Sequence, residues 1–490
     1  MNLRPAAAAV AAGLLALSAC TSVSSGHGTL PSAASTHATP ASSAPAGTSA
    51  PGSPGGSAAP ADCPATYAEP DPHRPVVRLT FAVGADLTTV QGTEHIAFTP
   101  DRPITELVFR LTANTAPTVE AGNKIVVTSA TADHGGTSHT FSRAGAAAST
   151  QGGLLHIPLS GTVPAGTTVT ADLAFTLTLG PESFDRFGRN DADGARYAWF
   201  GSGQPLLAWE RGFGWHDEDL IQFTAESATS EAMDTDLTVT APAKDTVIMS
   251  GDPADPAAGG RATRTWHSRI AAARDVSVAV GPFHVADTDV HGVKLRLGAP
   301  SDAIRDALVP EFERAITELA KLYGPFPFPS LSVARVPAEG GGIEYPSSIL
   351  MLDGSRLVAV HETAHQWFYA MVGDSQALHA WLDEAFAQFS EERVDGTSEP
   401  GGALDANGPV DKPTGSYGAD MNAYYFITYD KGAAALAAAR KAIGTAAWDT
   451  AMRCYVAANA WRIADPSDLK AALSPYPAAI GVLQRAGALR

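Results

Sequence analysis

The chain runs to 490 residues, 45% of them hydrophobic, enough for two or three domains with cores of their own. Its formal net charge is −18 and it carries no basic run. That excludes the clustered lysine and arginine footprint of a nucleic-acid partner and otherwise speaks only of solubility.

Arg4 opens the chain with a positive charge, and residues 6–17 follow as an apolar run closed by Leu17-Ser18-Ala19-Cys20. The run is too short to span a bilayer as a mature helix and reads as a secretory signal over 1–19. Leu-Ser-Ala-Cys resembles a bacterial lipobox, which implies cleavage before Cys20 and a lipid on its sulfur. Ordinary cleavage after Ala19 beside an incidental cysteine is the alternative. Residues 20–62 are mostly Ser, Ala, Pro, Gly and Thr, a composition that cannot bury a core and makes a flexible tether. The expected location is therefore the outer face of a bacterial membrane, held by the lipid alone, or secreted. In such a compartment the remaining cysteines, Cys63 and Cys454, can pair and pin the start of the folded region to its end. Two unpaired thiols, Cys454 inside a helix, are the other reading.

A β domain is expected over 63–285. Val169, Ala171, Leu173, Phe175, Leu177 and Leu179 alternate with polar or small residues, the mark of a strand with one buried face. Shorter runs at 76–81, 107–111, 125–128, 237–240 and 276–280 repeat the theme between Gly, Pro, Asp and Asn turns. Within 199–216, Gln204 and Glu210 are candidate cleft-rim residues, more readily structural.

A mainly helical domain is expected over 286–490. Ile304, Leu308, Phe312, Ile316 and Leu319 form one apolar stripe, with Ser301 as cap and Gly324-Pro325 as the stop. A short strand at 331–336 precedes Glu339-Gly340-Gly341-Gly342-Ile343-Glu344-Tyr345-Pro346. Its glycines let backbone approach a ligand closely, with Glu344 placed beside it.

Next comes His361-Glu362-Thr363-Ala364-His365, expected on a helix over 355–372. His361 and His365 share a helix face and can grip one metal ion, while Glu362 lies about 100° round and can act as general base toward water. Glu384 follows His365 by nineteen residues (384 − 365 = 19) within Trp381-Leu382-Asp383-Glu384-Ala385-Phe386-Ala387 and supplies a third ligand. Two histidines and a glutamate leave the fourth tetrahedral position open, the arrangement of a catalytic Zn2+ site rather than a structural one. His379 reads as a rim or structural residue, since three ligands are already present. Residues 424–443 then form a helix containing Thr428-Tyr429-Asp430-Lys431-Gly432.

His-Glu-Thr-Ala-His-Gln-Trp-Phe with Trp-Leu-Asp-Glu-Ala-Phe-Ala resembles the aminopeptidase N family of gluzincin metallopeptidases. The resemblance is strongest over 320–445 and implies a saddle-like β-sheet domain followed by a thermolysin-like, mainly α-helical peptidase domain. It implies that Glu344 binds the free α-amino group of a peptide and that the segment at Gly341 and Gly342 runs along the substrate. It also implies that the Tyr429 hydroxyl steadies the oxyanion. Ile343 and Tyr345-Pro346 depart from the family's methionine and asparagine, which puts substrate range in question. The expected activity is a zinc aminopeptidase acting on peptides. Its rivals are a zinc endopeptidase or oligopeptidase with an open cleft, and a peptide-binding lipoprotein without turnover.

Overall fold

The computed structural model describes residues 63–490 apart from 136–137, 184–185, 224–228, 255, 257–260 and 397–401. The signal, the tether and Cys20 lie outside the described residues. Alternation builds the first half. In Val76–Val83 every second residue is buried, and the same holds for Val169–Thr178, as a strand with one face on a core requires. These strands belong to a six-stranded sheet ordered Thr263–Ala273, Met233–Pro242, Val76–Val83, Thr89–Phe98, Val169–Thr178, Lys124–Ala132. A four-stranded sheet containing Ile104–Arg110 and Leu154–Val163 shares its core, where Leu107, Phe109 and Ile157 meet Phe81, Val90 and Phe175. The strands are longer than the apolar runs suggested, because edge positions carry Lys, Asp and Thr that hydropathy does not flag.

A second four-stranded sheet joins Thr246–Met249, Ser277–Gly281, Ala195–Gly201 and Phe187–Ala192. Tyr197, Trp199, Ile248 and Ala279 from this sheet pack on Ile343, Tyr345 and Leu350 of the next one. That next sheet has five strands, ordered His284–Val290, Val293–Ala299, Ser330–Arg335, Ser348–Met351, Gly342–Tyr345. Gly342–Tyr345 is thus an edge strand, paired on one side only, with Glu344 opposite Ile349. Gly201 must be glycine for this stacking, since a Cβ there would overlap the Tyr345 ring.

Helices cover the other side. Asp302–Tyr323 starts at Ser301, whose hydroxyl accepts from the Ile304 N–H, and ends at Gly324 with φ 104°, an N-cap and a glycine stop read directly from sequence. Arg356–Ala364 packs against it and against Trp381–Asp395. The helix expected over 355–372 is shorter than that: it ends at His365. Beyond it the chain unwinds through Tyr369 at φ 101°, and the Ala370 and Val372 N–H groups reach back five residues to the carbonyls of His365 and Trp367. A non-glycine residue at such φ is strained and persists only where its surroundings hold it. Arg274 does so, fully buried, donating to the carbonyls of Tyr369 (2.8 Å), Ser230 (2.8 Å) and Arg462 (2.7 Å).

The helix expected over 424–443 is three pieces: Met421–Tyr425, a π-helical turn Phe426–Lys431, and Gly432–Ile443. Helices Thr445–Asn459, Pro466–Ala472 and Pro477–Arg485 follow. A disulfide joins Cys63 and Cys454. Among the described residues no helix is long and apolar enough to cross a membrane.

Candidate active site

Ser355 caps the short helix by accepting from the Leu357 N–H, and the following turns present His361 and His365 toward Glu384. Glu384 Oε2 lies 3.3 Å from His361 Nε2 and 3.4 Å from His365 Nε2. A tetrahedral ion with bonds of about 2.0–2.2 Å spaces its ligand atoms by roughly 3.3–3.5 Å. The three donors fit one zinc ion. The ring of His365 is fixed for this task, because Nδ1 faces the Phe368 carbonyl at 3.2 Å. A carbonyl only accepts, so the proton sits on Nδ1 and Nε2 keeps its lone pair.

Around these donors the carboxylates are crowded. Burial raises Glu384's pKa, but the adjoining His361 and His365 rings outweigh it and bring the carboxyl down to about 2. Burial likewise opposes a charged His361, yet Glu384 and Glu391 lift it to about 10. The site is therefore anionic enough to need a cation at its centre, whether proton or metal. Glu391, with Oε2 3.5 Å from His361 Nδ1, was not singled out in the sequence. Its signal was its place seven residues beyond Glu384 on the same helix face.

Glu362 is buried, and burial pushes its carboxyl above the usual range against the pull of His361 and His365. Its Oε2 has no protein partner among the described residues. Gly342 lies against it, and a Cβ at that position would overlap Glu362 Cγ and Cδ. The glycine therefore makes room for the carboxylate, a reason the sequence alone did not supply. Gly341 plays a different part, its carbonyl accepting the N–H groups of Leu352 and Asp353 within the hairpin.

Tyr429 stands on the π-helical turn, half-buried, with its ring parallel to that of His361 (6°, centroids 5.9 Å apart). Burial pushes its hydroxyl well above the usual phenol range, with Glu384 adding to the effect, so it stays a neutral donor. Glu344 is buried on the edge strand, and each of Glu344, His365 and Asp383 brings one ligand-capable atom within 4.8 Å of the others. Asp383, fully buried, is a second carboxylate at this end that the sequence reading passed over.

The rim candidates fall elsewhere. Glu210 pairs with His216 Nε2 at 2.7 Å, and His379 Nδ1 with Asp411 at 2.6 Å. Gln204 is buried, two residues after Ser202, whose hydroxyl donates to Asp275.

No family model matches the chain. It is 24% identical over 239 residues to Aminopeptidase M1 of Arabidopsis thaliana, covering 40% of this chain and 27% of that protein. To Endoplasmic reticulum aminopeptidase 1 of Homo sapiens it is 25% identical over 217 residues, covering 36% and 23%. The chain spans about a quarter of the length of the curated relatives it matches. Its fold is that of an M1 zinc metallopeptidase from Deinococcus radiodurans, with TM-score 0.60 and 20% identity over 84% of this chain and 92% of that one. The same protein bound to a Tyr-Ser-Ala substrate gives a TM-score of 0.62 at 19% identity, covering 84% and 94%.

Proposed function

We propose that this aminopeptidase N-like chain is a zinc metallopeptidase that removes N-terminal residues from peptides outside the cell. The observation that carries the reading is the convergence of His361 and His365 on Glu384 Oε2 at 3.3 and 3.4 Å, with Glu362 buried beside them. When bound, zinc supplies Lewis acidity toward the peptide carbonyl and lowers the pKa of water.

The chain's own residues do the rest. Glu362 accepts a proton from the attacking water at Oε2, which has no protein partner among the described residues, and returns it to the leaving amine as the C–N bond breaks. Tyr429 Oη donates to the oxygen that gains charge. Glu344 holds the substrate ammonium, which places the first peptide bond, and no later one, over Glu362. The edge strand Gly342–Tyr345 offers its unpaired side to an extended peptide. A bridge between Cys63 and Cys454 suits an oxidising compartment. It supports the reading of Cys20 as a lipid anchor outside a bacterial membrane; Cys20→Ala would then release the protein from the membrane fraction.

The test is hydrolysis of aminoacyl fluorogenic substrates and of their N-acetylated peptide counterparts by the purified chain, with Glu362→Gln alongside. Cleavage of free-amine substrates alone, absent in the variant, is the expected result. Cleavage of blocked peptides would make the protein an endopeptidase, and no zinc-dependent cleavage of either would leave a peptide-binding protein.

A further inference from the structure

Gln366 follows the second histidine directly and is completely buried. Its side chain leaves the metal helix and meets the hairpin that carries Glu344. Oε1 accepts from the Ser347 N–H at 2.9 Å, and Nε2 donates to the Tyr345 carbonyl at 3.0 Å. This amide orientation is the one that satisfies both partners, since an N–H only donates and a carbonyl only accepts.

Those two backbone groups bracket the loop. Tyr345 pairs with Ser348 across the hairpin, so Pro346 and Ser347 are its two loop residues. Proline holds φ near −65°, and Ser347 has φ 59°, the φ sequence of a type II turn. Two-residue hairpins favour the primed turns, whose twist matches the strands; a type II turn splays them. Such a turn needs fixing from outside. On the sheet side Ser347 is held by Ser330, whose carbonyl accepts from Ser347 Oγ at 2.6 Å, and by Ser332, whose N–H donates to the Ser347 carbonyl at 3.0 Å. On the metal side Gln366 hydrogen-bonds the loop backbone at both Tyr345 and Ser347.

We propose that Gln366 is a positioning residue: it fixes the distance between the metal-binding histidines and Glu344, and so sets where the substrate amine sits relative to the scissile carbonyl. The proposal rests on Glu344 as the ammonium anchor. Without the Gln366 amide, the buried Ser347 N–H would lose this acceptor and the buried Tyr345 carbonyl this donor, a loss the hairpin answers by shifting. Glu344, one residue from Tyr345, would shift with it.

The test measures amine recognition apart from turnover. An aminoacyl hydroxamate and the same hydroxamate lacking its α-amine are titrated into the zinc-loaded chain by calorimetry, and the ratio of the two Kd values gives the amine advantage. Gln366→Met, which keeps bulk and loses both hydrogen bonds, should reduce that advantage about tenfold or more with zinc stoichiometry unchanged. Gln366→Glu, which keeps an acceptor for Ser347 and guards against a misfolded methionine variant, should fall between. On a Glu344→Ala background, Gln366→Met should remove nothing further, because its effect passes through Glu344. An unchanged advantage in folded, zinc-loaded Gln366→Met, alongside a loss in Glu344→Ala, would overturn the proposal while leaving the anchor intact. An unchanged advantage in Glu344→Ala itself would remove the anchor and the proposal together.

Discussion

Glu362 and His361 are neighbours in the chain, yet the site asks different things of them. As a metal ligand His361 must present a neutral ring with a free lone pair, whereas Glu362 must take up a proton, and burial pushes its pKa above the usual range. A carboxylate with a raised pKa is a better proton acceptor at neutral pH. Glu362→Gln keeps the shape and the ligands and removes the acceptor. Turnover should fall by about 10²–10⁴-fold with zinc content unchanged by elemental analysis. Tyr429→Phe removes one hydroxyl from a ring that stacks on His361. A kcat loss of about 10²–10³-fold with little change in KM is expected for an oxyanion donor, and steady-state kinetics would show it. Ligand identity was legible because the two histidines and Glu362 sit in one helical turn and Glu384 in a second motif. Glu391, Asp383 and Gln366 were not, because each is defined by what lies opposite it.

Among the elements, the edge strand is the most exacting. Gly342 faces Glu362 with no room for a side chain, so Gly342→Ala should displace the general base. Turnover is expected to drop at least about tenfold while zinc binding and the melting temperature stay close to those of the parent. Loss of folding instead would mean that the hairpin, not the base, feels the added methyl.

The segment after Trp209 contains a different kind of element. Burial disfavours a charged His216, but Glu210 and Glu218 outweigh it and raise its pKa from 6.5 to about 8. A histidine whose folded pKa is raised stabilises the protein below its unfolded value and ceases to do so as pH rises through the folded one. About 2 kcal/mol of stability should therefore be present below pH ~6.5 and be lost by pH ~8–9. Denaturant titrations of the parent and of His216→Gln across that range should differ in slope, the variant being flatter.

At the scale of the whole molecule, the segment from Cys63 to Ala68 is fastened behind the metal helix. Cys63 is bonded to Cys454, and the Ala68 N–H donates to the Ala457 carbonyl. The Tyr67 hydroxyl donates to the Pro325 carbonyl at 2.5 Å and accepts from Trp367 Nε1 at 3.1 Å. The bridge closes a loop with a sequence separation of 391, which constrains the unfolded chain far more than the folded one. Cys63→Ser should cost about 2–5 kcal/mol of stability, read as a lower denaturation midpoint in the absence of reductant. Activity at 25 °C should change little, since Trp367 is also packed by Tyr323 and Phe326.

The sequence by itself determined the chemistry and much of the architecture, because both are written in short-range patterns. The helix cap at Ser301, alternation in Val169–Thr178, and the spacing of His361, Glu362 and His365 need only local geometry. Tertiary structure alone decided where the metal helix stops. Tyr369 takes φ 101° because Arg274, ninety-five residues away, grips its carbonyl. It also decided why Gly342 is glycine, and which residues stand behind the metal ligands. Those outcomes depend on contacts between segments remote in sequence, and periodicity carries no record of them.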